Sequence, residues 1–159
     1  MQVQDMKPED VTGDYREQTF TFFDGTKRKV LVCDEEVPYP EGRLIVSVTD
    51  PSGIITHVNK SFVEMSGFSE EELLGAGHYI LRHPDMPPAA FKDLWDTVRA
   101  GKKWSGYVKN LRKDGKFYWV YATVVANVRD GNVKSYTSVR RKPSRKKIQE
   151  CEALYPTLF

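Results

Sequence analysis

Apolar residues that recur at every second position predict two short strands near residue 50. The pattern runs through LIVSV (44–48) and IITHV (54–58). Between them, Asp50, Pro51 and Gly53 occupy the positions that a type I turn favours for these residue types. We therefore expect a hairpin.

Helix signals follow directly. Asn59 to Gly67 suits a short helix that ends at the glycine, and Ser69 with Glu72 forms a capping box that opens a second one. A longer helix opens at the Pro87-Pro88 pair and ends near Gly101. One apolar face of this helix, at helical spacing, consists of Phe91, Leu94, Trp95 and Val98.

Three further strands close the pattern, over residues 104–111, 117–128 and 133–140. Their connections contain Asp114-Gly115 and Asp130-Gly131-Asn132, which favour tight turns. Tight turns imply an antiparallel meander, so the helices between the second and third strands must cover one face of the sheet. The predicted class is α+β, a five-stranded antiparallel sheet with helices on one face and a pocket between the two layers.

Composition narrows the class of protein. A chain of 159 residues with 40% hydrophobic and 29% charged residues suits one folded domain. No apolar run approaches the roughly 20 residues that cross a bilayer, and the N-terminus does not resemble a signal peptide, so we expect a cytoplasmic protein without membrane insertion. Cys33 and Cys151 lack metal-site spacing, and a net charge of +2 does not indicate nucleic-acid binding.

Chemically versatile residues concentrate in HYILRHPDM (78–86), which has two histidines, an arginine and an aspartate. The end of this segment, within RHPDMPPAAFKDLW, and two other segments resemble the flavin-binding PAS domain of bacterial aerotaxis receptors and their stand-alone relatives. The resembling segments extend from about Val37 to Arg140: VPYPEGRLIVSVTDPSGIITHVNKSFVEMSGFSEEELLG, RHPDMPPAAFKDLW and GKKWSGYVKNLRKDGKFYWVYA. SGFSEEELLG indicates only the PAS fold, whereas RHPDMP with WSGYVKN and YWV is more restricted.

The resemblance implies a bound FAD, with FMN or haem as alternative cofactors, whose ring lies between the helices and the sheet. It implies these cofactor-binding residues: Asn59, Arg82, His83, Asp85, Trp104 and Asn110. Alternation along the strand puts Trp104, Gly106, Val108 and Asn110 on one face, which suits a flat ring. Arg82 could donate to a carbonyl or phosphate, and Asp85 could accept from a ring nitrogen.

Several of these residues also have ordinary structural interpretations. Asn59 suits the N-cap of the helix that follows it. We expect Trp95 and Trp119 to pack in the core or on the sheet and His57 to face the solvent. His78 could have either a structural role or a cofactor role. The family usually has His-Asn where this chain has His78-Tyr79.

The chain divides into an N-terminal extension (1–36), a PAS sensor domain (37–141) and a C-terminal amphipathic helix (142–159). Alternation of apolar residues around Asp24-Gly25 allows an additional hairpin in the extension. This hairpin could be a loosely packed cap, or it could provide a surface for dimerisation or partner docking. The segment from Arg140 to Lys147 is strongly basic. It could form a solvated face, or it could contact an acidic partner or a membrane surface.

The function expected is a non-enzymatic FAD redox or oxygen sensor that signals to a chemoreceptor or another signalling protein, with a homodimer possible. The alternatives are a haem sensor with His78 or His83 as axial ligand, a protein-interaction module without cofactor, and a light sensor that uses a flavin–cysteine adduct. A flavin enzyme is a further alternative, although no GxGxxG fingerprint is present.

Overall fold

The computed structural model describes residues 3–22 and 25–159. The strands are β1 (Arg16–Thr21), β2 (Lys27–Val32), β3 (Ile45–Thr49), β4 (Ile55–Val58), β5 (Trp104–Leu111), β6 (Phe117–Arg129) and β7 (Asn132–Arg141). The helices are α1 (Lys60–Ser66), α2 (Glu70–Leu73), α3 (Pro88–Arg99) and α4 (Arg145–Leu154), with 3₁₀ turns at Pro8–Asp10, His78–Leu81 and Tyr155–Leu158.

Five strands form the central antiparallel sheet in the order β4-β3-β7-β6-β5. The meander of β5, β6 and β7 and the β3–β4 hairpin match the predicted elements, so the α+β class is confirmed. The long α3 lies against β5 and β6. Helices therefore cover one face of the sheet, as the connections required.

The predicted helix ends are present in detail. Asn59 accepts the Phe62 amide at the start of α1, and Gly67 ends this helix with a φ of 77°. Ser69 and Glu72 form the reciprocal capping box of α2. These short helices are therefore fixed by local side-chain hydrogen bonds that the sequence alone reveals.

The buried face of β3 differs from the one that its apolar alternation suggests. Ile45, Ser47 and Thr49 are buried, whereas Leu44 just before the strand is 46% exposed. Two hydroxyl residues thus point into the domain where a simple core would hold apolar side chains. The reason is that this face borders an internal cavity, described below.

The N-terminal hairpin forms from β1 and β2, paired antiparallel. Asp24 of its predicted turn lies outside the described residues. The hairpin is not the loosely packed cap considered above, because Val30, Leu31 and Val32 are buried with Met6 and Leu111 in a second apolar cluster. This cluster joins the extension to the last residue of β5.

The C-terminal segment packs on the opposite face of the sheet from the helices. Ser144 caps α4, and Ile148 is fully buried beneath it. The ring centroid of Trp119 lies 6.1 Å from that of Tyr155, which confirms packing as the role of this tryptophan. Among residues 3–22 and 25–159, no helix combines the length and the apolar character needed to cross a membrane.

Candidate functional site

A cavity of about 610 Å³ lies between the helical layer and the sheet. This volume is within the range typical of small-molecule sites. Its walls come from the inner faces of β3, β5, β6 and β7, from the β3–β4 turn, from the His78–Leu81 turn and from α3. The predicted pocket between layers is therefore present.

Part of the cavity lining is apolar and aromatic. Leu94 and Trp95 of α3 lie on it opposite Val108, Ala122 and Val124 of the sheet. The rings of Trp95 and Tyr136 meet edge to face, with centroids 5.3 Å apart. Trp95, expected to be packing, thus also borders the cavity, and the wall suits a flat apolar ring.

The polar part of the lining, called here the polar wall, comes from three strands of the sheet. Its residues are Ser47 and Thr49 of β3, Asn110 of β5, and Ser138 and Arg140 of β7. Thr49 Oγ1, Arg82 Nε and Arg140 Nη1 are buried and have no hydrogen-bond partner in the part of the chain that the structure describes. Because buried polar atoms are normally paired, these groups are suited to hold a polar ligand.

Arg140 and His78 form a close pair in the cavity lining. Arg140 Nη2 lies 2.7 Å from His78 Nε2 and donates to Ser47 Oγ at 3.0 Å. His78 borders the cavity and is half-buried, and burial together with the Arg140 charge lowers its pKa to about 3. A neutral imidazole accepts at Nε2 here, so its proton is on Nδ1.

Arg82 and Asn110 are the two predicted cofactor residues that border the cavity. Their backbones form an isolated antiparallel bridge, which holds the HYILRHPDM segment against β5. The Arg82 guanidinium lies 4.9 Å from the Phe20 ring centroid and 5.2 Å from that of Phe91. Burial lowers the Arg82 pKa.

Trp104 is buried beside the cavity rather than on its wall. Its indole Nε1 donates to Asp93 Oδ2 at 2.8 Å, which ties β5 to α3. The indole also covers Gly106, where an added Cβ would lie 2.5 Å from the ring. Trp104 does share a strand face with Val108 and Asn110, as predicted, and supports the wall that these two form.

Asn59 is occupied by backbone hydrogen bonds. Its Oδ1 accepts from the Phe62 and Val46 amides, and its Nδ2 donates to the Leu44 carbonyl. It does not border the cavity. The structural interpretation of this residue, the helix cap, accounts for both ends of its amide.

His83 and Asp85 also lie away from the cavity wall, at the side of the sheet near Phe117. His83 is fully buried and its Nδ1 accepts from the Asp85 amide at 3.0 Å. The Asp85 carboxylate pairs with Lys109 at 2.9 Å and with Arg16 at 3.4 Å. Despite partial burial, the contact with Lys109 and nearby positive charges lower the Asp85 pKa.

Sequence reasoning missed several residues of the site. Phe22 and Thr26 bring the N-terminal hairpin to the cavity, and the Phe22 ring lies 4.7 Å from that of Tyr79. Tyr79, the departure from the family pattern, also accepts the Val3 amide at its hydroxyl. The role of His78 was left open. Ser47, Thr49 and Arg140 were missed because their pattern in the sequence is that of ordinary polar positions on strands.

Two kinds of reactive site, a cysteine at the cavity and a cluster of metal ligands, are absent from the part of the chain that the structure describes. Neither Cys33 nor Cys151 borders it, and the buried Cys33 thiol contacts the Thr12 and Asp114 carbonyls. His57 is exposed, as expected. Within the described ranges, no group of three or more His, Cys, Asp or Glu side chains is arranged to hold a metal ion.

Comparisons with known proteins agree with this architecture. Residues 55–140 match the family model of the PAS fold. The chain is 43% identical over 127 residues, 80% of its length, to the aerotaxis receptor of Escherichia coli, and 26% identical over 71% of its length to the bacterioopsin transcriptional activator of Halobacterium salinarum. It spans 25% and 17% of these relatives' own lengths.

A solved light-oxygen-voltage domain, from a study of a flavin analogue, superposes with a TM-score of 0.63 at 23% identity. The superposition covers 72% of this chain and 88% of that one, and it supports the same fold. Sheet order, helical layer, family match and relatives agree. The chain belongs to the PAS-fold family, as a PAS domain of the aerotaxis-receptor type.

Proposed function

We propose that this domain is a cytoplasmic, non-enzymatic sensor that binds FAD in the cavity and reports redox state or oxygen to a signalling protein such as a chemoreceptor. The observation that carries the proposal is the cavity itself, whose lining combines aromatic and apolar side chains with residues that have unpaired buried polar atoms. Its support from comparison is the 43% identity to a receptor for aerotaxis.

The residues fit a flavin by their chemistry. A flavin ring needs an apolar slot for its faces and donors and acceptors for its edge. Trp95, Val108 and Val124 supply the slot, while Asn110 and Thr49 supply groups that can both donate and accept. Arg82, between two aromatic rings near the hairpin, suits a phosphate or a carbonyl of the ligand.

The remaining predicted residues have supporting roles in this proposal. Trp104 keeps α3 and β5 at the distance that leaves the cavity open. Asp85, through Lys109 and Arg16, fixes the loop that carries Arg82 and ties it to the N-terminal hairpin. Asn59 holds the start of α1 against β3.

A bound flavin supplies a ring whose charge and hydrogen-bonding groups change with its oxidation state. Asn110 of β5 and Arg140 of β7, which lie on either side of β6 and both line the cavity, are the residues proposed to respond by altered hydrogen bonding. Strand β7 ends at Arg141 and α4 begins at Arg145, so a shift of β7 reaches the C-terminal helix within a few residues. A partner that binds the two states with different affinity would read that shift.

Haem is the nearest alternative cofactor, but the histidines fit it less well. His78 Nε2 already faces the Arg140 guanidinium, and His83 does not border the cavity. A protein-interaction module without cofactor would leave the buried unpaired polar atoms without a purpose.

The absorption spectrum of the purified protein, with chromatography of the released cofactor, tests the proposal. Paired flavin bands and released FAD are expected; a single intense Soret band, or no colour after reconstitution with FAD, would reject it. Turnover of reduced nicotinamide by the flavin-loaded protein would overturn the non-enzymatic assignment.

Trp104→Ala and Asp85→Ala should both lose flavin, and full retention in both would reject their supporting roles.

A further inference from the structure

Arg140 is a buried cation without a counter-charge. It is 3% exposed, and its two contacts through Nη2 are to the neutral groups Ser47 Oγ and His78 Nε2. Its Nη1 is buried and has no hydrogen-bond partner, Arg140 is among the residues that line the cavity, and no carboxylate contacts it within residues 3–22 and 25–159. This is the one side chain on the polar wall that combines full burial, positive charge and an unused donor.

The protein compensates this charge only weakly. The Phe62 ring centroid lies 5.0 Å from the guanidinium carbon, and the groups that favour the charged form are the phenols of Tyr118 and Tyr39. Burial lowers the Arg140 pKa to about 10, so the group remains charged at neutral pH. Because an unpaired buried charge is strongly destabilising, the site needs a negative or electron-rich group from outside the chain.

The neighbouring groups define what that group must look like. Thr49 Oγ1 is a second buried, unpaired atom on the same wall, and Trp95 and Tyr136, whose rings are in contact, also line the cavity. A planar ligand enclosed by these walls would present its edge to the guanidinium. Arg140 is held in place by Ser47 and His78, so its free N–H is preoriented.

We infer that Arg140 binds the electron-rich edge of the flavin ring, a carbonyl oxygen or ring nitrogen, and favours the reduced ring with its added negative charge. This inference rests on the proposed function and names a ring-binding residue for the same cavity. The other electron-rich part of FAD, its pyrophosphate, is the competing partner for this guanidinium. Positive charge next to the ring is one of the means by which a protein tunes flavin electronics.

Flavin binding to Arg140→Gln, with Arg141→Gln as the matched control, tests the inference. Arg141 is the next residue of the same strand and is exposed. Fluorescence titration with riboflavin and with FAD should show affinities for both ligands that are lowered about tenfold or more in Arg140→Gln, the effect of losing a charge-assisted hydrogen bond. Arg141→Gln should bind both like the wild type.

A redox titration with dithionite as the electron donor supplies the second readout. Arg140→Gln should have a lower midpoint potential, by about 30 mV for each tenfold preferential loss of reduced flavin in a two-electron couple. Arg140→Lys keeps the charge but loses the fork, so it should bind both ligands more weakly than the wild type while its potential stays closer to the wild-type value. If Arg140→Gln does not fold, the flavin affinities and the midpoint potential of Arg140→Lys test the inference instead.

The outcomes separate this inference from the proposed function. A wild-type protein that takes up neither riboflavin nor FAD overturns both. A wild type that binds flavin while Arg140→Gln and Arg140→Lys match the Arg141→Gln control overturns only the inference. Loss of affinity for FAD but not for riboflavin would place the pyrophosphate at Arg140, and this also overturns the inference.

Discussion

At the scale of single residues, capping and turn residues were predictable but most of the polar cavity wall was not. The helix caps at Asn59, Ser69 and Glu72 join residues three positions apart, so the sequence shows both partners of each cap. Arg140 meets Ser47 from 93 residues away, and nothing local marks either one. Arg82 was expected at the cavity because of the family resemblance. Asn110 was expected there because of the resemblance together with alternation along its strand.

The buried His83 gives a pH dependence that can be measured on the cofactor-free protein. Burial and the nearby Lys109 charge hold its pKa well below the usual 6.5, against the opposing effect of Asp85. Between pH 7 and pH 5 the unfolded chain therefore gains a proton at this histidine that the folded chain does not. Stability is fully present above pH 6.5 and falls as the pH decreases, by about 2 kcal/mol at pH 5 from this one group.

The variant His83→Asn should remove that part of the pH dependence. Asparagine keeps an acceptor for the Asp85 amide but does not titrate. Urea unfolding at pH 7 and pH 5 should show a loss of stability about 2 kcal/mol smaller than in the wild type. The exposed His57→Asn is the control, and an equal loss in His83→Asn and in this control would contradict the account.

At the scale of elements, strand existence was predictable whereas the buried face of β3 was not. Apolar alternation identifies a strand, yet the face turned inward holds Ser47 and Thr49 because a cavity, rather than a close-packed core, lies behind it. The N-terminal hairpin is the second case. Its alternation was visible, but its position against the cavity depends on contacts such as Phe22 with Tyr79, far apart in sequence.

The hairpin should help to retain the cofactor, and Phe22→Ala tests this. The substitution removes one ring from the cavity wall, so bound flavin should be released several-fold faster, with little loss of stability because Phe22 is only half-buried. A point variant is preferable to deletion of residues 1–34, which would also remove the buried side chains of β2.

Tyr15→Ala is the control for this experiment, since Tyr15 is 42% exposed and does not border the cavity. Flavin release is followed by fluorescence after dilution. Equal release rates in the two variants would mean that the hairpin is not part of the binding site, and its role would then be sought in dimerisation or partner docking.

At the scale of the whole molecule, the sheet separates two surfaces. The cavity lies on the helical side, and α4 packs on the other side through Ile148 and the Tyr155–Trp119 contact. Strand β7 belongs to both, because it contributes Arg140 to the cavity and leads directly into α4. The layered fold and its pocket followed from sequence patterns, whereas this connection required the structure.

The central claim is that the cavity between α3 and the sheet holds a flavin, and the flavin content of two matched variants tests it most directly. Asn110→Ala removes an amide from the cavity wall, while Asn127→Ala removes an exposed amide from β6 outside the cavity. Loss of one or two hydrogen bonds to the ring should weaken FAD binding about tenfold in the first variant. The account predicts flavin depletion in Asn110→Ala with wild-type content in Asn127→Ala, and equal content in both would contradict it.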